Sequence, residues 1–360
     1  MSKSLPENRY FPDYVSPPGE TLLETMEMLG LTQAQVADRI GKTPKTINEI
    51  VQGKSAITAE TALQLERVTN VPASFWNNRE AHYREFLARQ QERQRLEGQT
   101  DWLSKLPIKD MIKFGCIQKK ADRVDQLLAV LNFLGVASPD RIECAVPIGF
   151  RKSPTFKSDR LSLVCWLRWG DIEAHRIHCS PYSADSLKAA LPELRKLSND
   201  SADILKVRLP EICARAGVAV VMLPEFSKCR VSGAARWLTS EKAVIQLSLR
   251  YKTDDHLWFT LFHEIGHILL HGKKEIFIDE TLDNDPIENE ANQFASRTLI
   301  PTLEYKAFVS AGNFSIQAIK SFAAALDVAP GIVVGRLQFD KHLDFDERNQ
   351  LKQRFQWVAD

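Results

Sequence analysis

Residues Leu261 to Gly272 read LFHEIGHILLHG, a run apolar enough for a protein interior that nonetheless holds His263, Glu264 and His267. As a helix, the segment puts residues four apart on one face, so the two imidazoles point the same way and Glu264 stands slightly to the side. Leu261, Ile265, Ile268 and Leu269 then cover the opposite side, and Gly272 can end the helix. Polar groups in such a place are costly unless they find partners. Backbone carbonyls could satisfy two buried histidines, but that leaves their metal-ligand spacing without a reason.

A catalytic zinc site takes three protein ligands and keeps one open position, so two histidines do not complete it. Downstream, NDPIENEANQFASRTLIP starts a helix with Asp285 as cap, Pro286 at the first position and Glu288 closing a capping box. Glu290 follows on the inner side with Phe294, 23 residues after His267, and is the expected third ligand. The expected site is therefore zinc on His263, His267 and Glu290, with Glu264 as general base. For a second oxyanion donor, His271, Arg297 and Tyr305 are available and none is singled out.

HEIGHILLHG followed by ENEANQFASRTLIP resembles the ImmA/IrrE metallo-endopeptidases, over about Leu197 to Pro301. That resemblance implies zinc on the paired histidines and on the glutamate preceding Ala-Asn, which correspond to His263, His267 and Glu290, and a general base at Glu264. It further implies a peptidase with one or a few protein substrates, typically a DNA-bound repressor whose cleavage releases transcription.

Near the other end, LTQAQVADRIGKTPKTINEIVQG carries two helix starts. Thr32 with Gln35 makes a capping box, and Thr43 caps ahead of Pro44. Gly41 and Gly53 sit at the helix ends, while Val36, Ala37, Ile40, Ile47, Ile50 and Val51 supply contacts that lock two short helices into a helix-turn-helix. From Arg39 to Lys54 the basic residues Arg39, Lys42, Lys45 and Lys54 face one acid, Glu49, although residues 20 to 80 are slightly acidic overall. Lys45, Thr46, Asn48 and Glu49 point away from the apolar set, and lysine to guanine or asparagine to adenine are favourable major-groove pairings. Gln33, Thr43 and Lys54 fall nearer phosphates. A plain helical bundle with a solvated charged face is the alternative for this pattern.

The stretch from PGETLLETMEM through ITAETALQLERV to FWNN resembles the HigA-type antitoxins of the Xre-like repressor group. The resemblance implies binding to double-stranded operator DNA as a homodimer, with half-sites about one helical turn (~34 Å) apart, and suggests a toxin partner.

A chain of 360 residues fits two or three domains. A formal net charge of +1 means that any nucleic-acid affinity comes from a local patch rather than the whole molecule. Six cysteines, Cys116, Cys144, Cys165, Cys179, Cys213 and Cys229, form no CxxC pair, which argues for reduced, mostly buried thiols. The N-terminus lacks the apolar core of a signal peptide and no apolar run approaches the roughly 20 residues of a membrane span, so a cytoplasmic location is expected.

Residues 102 to 136 have helical period, LSLVCWLRW reads as strand-like, and VAVVMLPEF reads as a strand. SGAARWL and AVIQLSL form an expected hairpin about the turn TSEK. In AHRIHC, strand geometry would send His175 and His178 to opposite faces, which argues against a metal there. The segment SIQAIKSFAAALDVAPGIVVGRLQ looks like a second helix-turn-helix, but its second helix carries few readable polar groups, so packing against the core is preferred.

The expected fold is mainly α with a small β-sheet (α+β): an all-α helix-turn-helix domain followed by a zincin-like HExxH peptidase domain. The expected boundaries are 15–96 for the DNA-binding domain, 97–195 for a helical and mixed connecting region, 196–305 for the peptidase domain and 306–360 for a C-terminal helical region. Functionally, the reading is a DNA-binding regulator carrying a zinc-dependent endopeptidase, active or latent, that cleaves a repressor or another specific protein. The alternative is a non-proteolytic antitoxin or repressor that neutralises a toxin or senses a ligand.

Overall fold

A computed structural model describes residues 14–144, 159–273, 277–278 and 286–357. The chain divides between Thr100 and Asp101 into two compact units.

The first unit is five helices: α1 (Pro18–Met28), α2 (Gln33–Ile40), α3 (Pro44–Val51), α4 (Ala59–Thr69) and α5 (Ala73–Glu97). Thr32 and Gln35 form the reciprocal capping box, and the Thr43 hydroxyl accepts from the Thr46 N–H with Pro44 opening α3. Leu22, Val36, Ile40, Ile47, Ile50, Leu65 and Trp76 close the core. Glu80 of α5 is buried, accepts from the Ile57 N–H at 3.0 Å and pairs with Arg84, which pins the connection after α3. The polar run ARQQERQRLE continues α5 to Glu97.

The second unit opens with α6 (Ile108–Lys113), α7 (Arg123–Leu134), α8 (Arg160–Arg176), α9 (Ala184–Lys196) and α10 (Ala202–Arg215). Strands β1 (Val218–Met222), β2 (Gly233–Thr239) and β3 (Lys242–Leu247) follow. Then come α11 (Asp254–Leu270), β4 (Phe277–Ile278), α12 (Pro286–Leu299), α13 (Thr302–Ala311), α14 (Ile316–Leu326) and α15 (Pro330–Phe339). The sheet order is β1-β3-β2-β4, with β1 parallel to β3 and the other pairs antiparallel. The hairpin about TSEK has the register Gly233↔Leu247 and Thr239↔Lys242.

Both faces of this sheet are covered, which is why its strands are almost continuously apolar. Ala219, Val221, Ala234 and Val244 pack with α7 and α8, whereas Val218, Val220, Ala235 and Ile245 pack with α10 and α11. The residues expected as a connecting region, a peptidase domain and a C-terminal region thus lie in one compact unit.

The strand expected at LSLVCWLRW is instead α8. Asp159 caps it through the Ser162 N–H, and Leu163, Val164, Cys165, Trp166 and Leu167 are all buried. An all-round apolar run fits a helix clamped between core layers as well as a core strand, and here a cap and 17 helical residues decide it. Buried Arg236 of β2 meets the α8 carboxylate Asp171 at 2.7 Å and donates to Leu167 O and Gln246 Oε1, both at 2.8 Å, while Gln246 donates to Trp166 O. Arg236 Nε and Nη2 and both polar atoms of the Gln246 side chain therefore have partners, while Arg236 Nη1 is buried without one.

The second helix-turn-helix-like pair, α14 and α15, is bent by 111° at its break and buries Ile319, Ala323, Ile332, Val333 and Leu337 against α11. No single helix among the described residues is long and apolar enough to cross a membrane. Residues near the end of the chain brace the start of α11. Thr253 bridges Arg354, the Asp254 N–H donates to Gln353 O, and Lys352 meets Asp255 at 2.7 Å. Among the described cysteines, burial pushes the Cys213 thiol up to about 12 and leaves it unreactive; the Cys144 side chain lies outside the described residues.

Candidate functional site

Helix α11 carries His263, Glu264 and His267 into the interior, where all three are at most 2% exposed. The two imidazole Nε2 atoms stand 2.9 Å apart, with the rings nearly perpendicular at 79°. Glu288, in the first turn of α12, places Oε2 at 3.1 Å from His263 Nε2 and Oε1 at 3.4 Å from His267 Nε2. A tetrahedral ion with bonds of about 2.0–2.1 Å holds its ligands about 3.3 Å apart. His263, His267 and Glu288 therefore fit one divalent cation.

The protonation pattern suits the same purpose. Asn292 Oδ1 lies 3.0 Å from His263 Nδ1, so that nitrogen carries the proton and Nε2 keeps its lone pair. Burial holds His267 below the usual imidazole range, in its neutral form. Burial alone would raise Glu288, but hydrogen bonds and charge from His263 and His267 outweigh it and bring the carboxyl down to about 2. Neutral imidazoles with an ionised carboxylate are the forms that bind a cation.

Two close approaches hold this geometry. A Cβ on Gly266 would meet Phe294 Cδ1 at 3.1 Å and Ala291 Cα at 3.3 Å, so the missing side chain is what lets α12 lie against α11 and present Glu288. A Cβ on Gly233, the first residue of β2, would lie 2.5 Å from both Glu264 Oε1 and the Thr260 methyl. Its absence gives the fully buried Glu264 carboxylate room beside the histidines.

The third carboxylate differs from the expected one. Glu290 is 66% exposed and meets His271 Nε2 at 3.3 Å, away from the His263–His267 pair. Helical geometry supplies the reason. Ala291, Ala295 and Leu299 form the buried stripe of α12. At 100° per residue Glu288 lies within roughly 20° of Ala295, while Glu290 lies roughly 140° from it. That stripe is the signal the sequence holds; Glu288 also fits the capping pattern there, whose cap residue Asp285 lies outside the described residues. Asn292, unassigned from sequence, sits one turn beyond Glu288 on the same face. His271 turns its Nδ1 to within 3.0 Å of His267 Nδ1, and Arg297 donates to Gln293. His175 and His178 are both exposed, with His175 bonded to the Asp171 carbonyl of its own helix.

In the first unit, Lys45, Asn48 and Lys54 are exposed and Thr46 is half-buried. Lys45 sits 3.9 Å from Glu49, and Asn48 accepts from Gln52 at 3.2 Å, so Gln52 joins the same exposed face. The Thr43 and Thr46 hydroxyls bond each other at 2.9 Å, which commits both to capping α3 in this state. Gln33 is half-buried at the start of α2.

Comparison with known proteins agrees with this division. Residues 22–76 match the family model described as helix-turn-helix, and residues 213–338 match the model of the IrrE N-terminal-like domain. A 67-residue stretch is 39% identical to virulence-associated protein I of Dichelobacter nodosus, covering 18% of this chain and 62% of that protein. Among solved structures, an addiction module antidote protein of a HigA family from Coxiella burnetii is 27% identical, over 23% of this chain and 92% of that one, with a TM-score of 0.22. Antitoxin GraA is 26% identical, over 24% of this chain and 95% of that one, with a TM-score of 0.23. The chain therefore carries, over residues 22–76, a helix-turn-helix domain similar to the Xre-like group and, over residues 213–338, a domain similar to the IrrE N-terminal-like family.

Proposed function

We propose that the protein is a DNA-binding regulator whose second unit is a zinc-dependent endopeptidase acting on a specific protein, such as a repressor. The observation that carries the reading is the convergence of His263, His267 and Glu288 within ligand distance of one another, with Glu264 buried alongside.

His263, His267 and Glu288 would hold the metal, and Asn292 keeps His263 turned toward it. Bound there, zinc supplies Lewis acidity toward a water and a peptide carbonyl. Glu264 takes the proton of the attacking water at a carboxylate oxygen and hands it to the leaving amine nitrogen. Because the site lies in a fully buried stretch of α11, its donors are held rigidly and competing water is limited. The first unit would bring this site to operator DNA, α3 entering the major groove with Lys45, Thr46 and Asn48 toward the bases and Gln33, Thr43 and Lys54 toward phosphates. A helix-turn-helix of this kind reads two half-sites as a homodimer.

The test measures zinc content of the purified full-length protein and cleavage of co-expressed repressors, for wild type and Glu264→Gln. The expected result is one zinc per chain in both and cleavage by wild type alone. Zinc-loaded wild type and variant that behave alike would remove the hydrolytic role and leave a binding protein, an antitoxin-like neutraliser or a ligand sensor.

A further inference from the structure

A cleft of about 910 Å3 opens beside the candidate metal centre, running from Glu288 and Asn292 on α12 across Phe259 and Thr260 of α11 to α15 and the C-terminal residues. That is near the top of the range for ligand-binding clefts, roughly 300–1,000 Å3. Its walls carry five basic side chains, Arg230, Arg250, Arg336, Lys352 and Arg354, against two carboxylates, Asp255 and Glu288. Lys352 is neutralised by Asp255 and Arg336 by Asp340, each at 2.7 Å.

Arg250 and Arg354 have no carboxylate within ion-pair distance among the described residues. Arg250 instead lies over the Tyr251 ring, 5.2 Å from its centre, and donates to the Arg230 carbonyl, which orients its charge without cancelling it. The same cleft is bordered by Phe339 and Phe345, 76% and 79% exposed, a pair of hydrated aromatic side chains at its wall.

Resting on the endopeptidase reading above, we propose that this cleft selects an acidic peptide segment, with carboxylate side chains held by Arg250 and Arg354 and an apolar side chain set against Phe339 and Phe345. A peptide satisfies both ends of the cleft. Its backbone is neutral where it passes Glu288, and it carries charge only where the arginines stand. A nucleic acid carries a negative charge at every residue, more than Arg250 and Arg354 can meet, and has no aliphatic side chain to set against Phe339 and Phe345.

The experiment uses the full-length Glu264→Gln protein and fluorescence anisotropy with three labelled ten-residue peptides. One has glutamates flanking a leucine, one has glutamines in their place and one has lysines. The glutamate peptide is expected to bind about tenfold more tightly than the lysine peptide, with the preference weakening as salt rises. The double substitution Arg250→Glu/Arg354→Glu reverses the order, and Arg250→Gln/Arg354→Gln, milder for folding, abolishes it. Equal binding of the three peptides overturns the proposal. So does displacement of the glutamate peptide by single-stranded oligothymidylate that depends equally on both arginines. In parallel, wild type is given a mixed peptide library. Cleavage without enrichment of acidic sequences overturns the acidic selectivity alone, whereas acid-selective binding without any cleavage supports it and overturns the endopeptidase reading.

Discussion

Glu288 and Glu290, two positions apart on α12, face different partners: Glu288 meets both Nε2 atoms of His263 and His267, and Glu290 meets the far side of His271. The outcome of removing each carboxylate is accordingly different. Glu288→Gln is expected to lose bound zinc, while Glu290→Gln keeps it with affinity reduced by at most about 100-fold, the upper end for an outer-shell contact. Metal titration of the purified variants against a chelator distinguishes them, and loss of zinc in the Glu290 variant alone would reverse the assignment.

Gly266 tests whether helix packing sets the metal geometry. Replacing it by alanine gains about 1 kcal/mol of helix propensity but costs about 1–3 kcal/mol for crowding Phe294 and the Ala291 backbone. A net loss of about 1 kcal/mol is expected in urea unfolding. Zinc affinity should fall more than stability does, because the shift is transmitted to Glu288. Unchanged affinity in a destabilised variant would separate packing from coordination.

Asp254, almost fully buried at the start of α11, has its carboxyl raised by burial from 3.8 to about 6, with adjacent Asp255 pushing the same way. Folding therefore favours the protonated form. The stabilisation is complete below pH 3.8 and is lost as pH rises through about 6. The difference corresponds to about 3 kcal/mol. Asp254→Asn cannot ionise, so its stability relative to wild type should grow from pH 4 to pH 7 in parallel denaturation curves. A constant difference over that window counts against the burial argument.

On the first unit, Asn48→Ala should cost about 1–3 kcal/mol at one position of an operator recovered by selection and leave non-specific binding unchanged. Lys54→Ala should weaken all sequences alike and lower the salt-dependence slope by about 1. Anisotropy with operator and scrambled duplexes at several salt concentrations reads both. An equal loss on scrambled DNA for Asn48→Ala would move that residue from base to backbone contact.

What could be read in advance was whatever local chemistry alone decides. Thr32 with Gln35 and Thr43 with Pro44 announce helix starts because the bonds that make a cap span three residues. HExxH announces a helical face for the same reason of short range. The strand-like reading of LSLVCWLRW failed because an apolar run without period leaves helix and strand equally open, and the bonds from Arg236 and Gln246 that fix α8 come from distant strands. Glu290 shares a helix with Phe294 and directly precedes Ala-Asn, and only the buried stripe of Ala291, Ala295 and Leu299 shows that Glu288 is the inward carboxylate. The cleft is illegible in the sequence, since its walls come from five separated segments.

The sheet is shared between two hydrophobic layers, with Ala219, Val221, Ala234 and Val244 on the side of α7 and α8. Excising residues 213–338 as a free-standing module would strip that side bare and present a flat, greasy surface to water. A fragment trimmed to homology alone should aggregate on expression, whereas one beginning near Asp101 keeps the second layer and is the smaller piece that can be handled in solution.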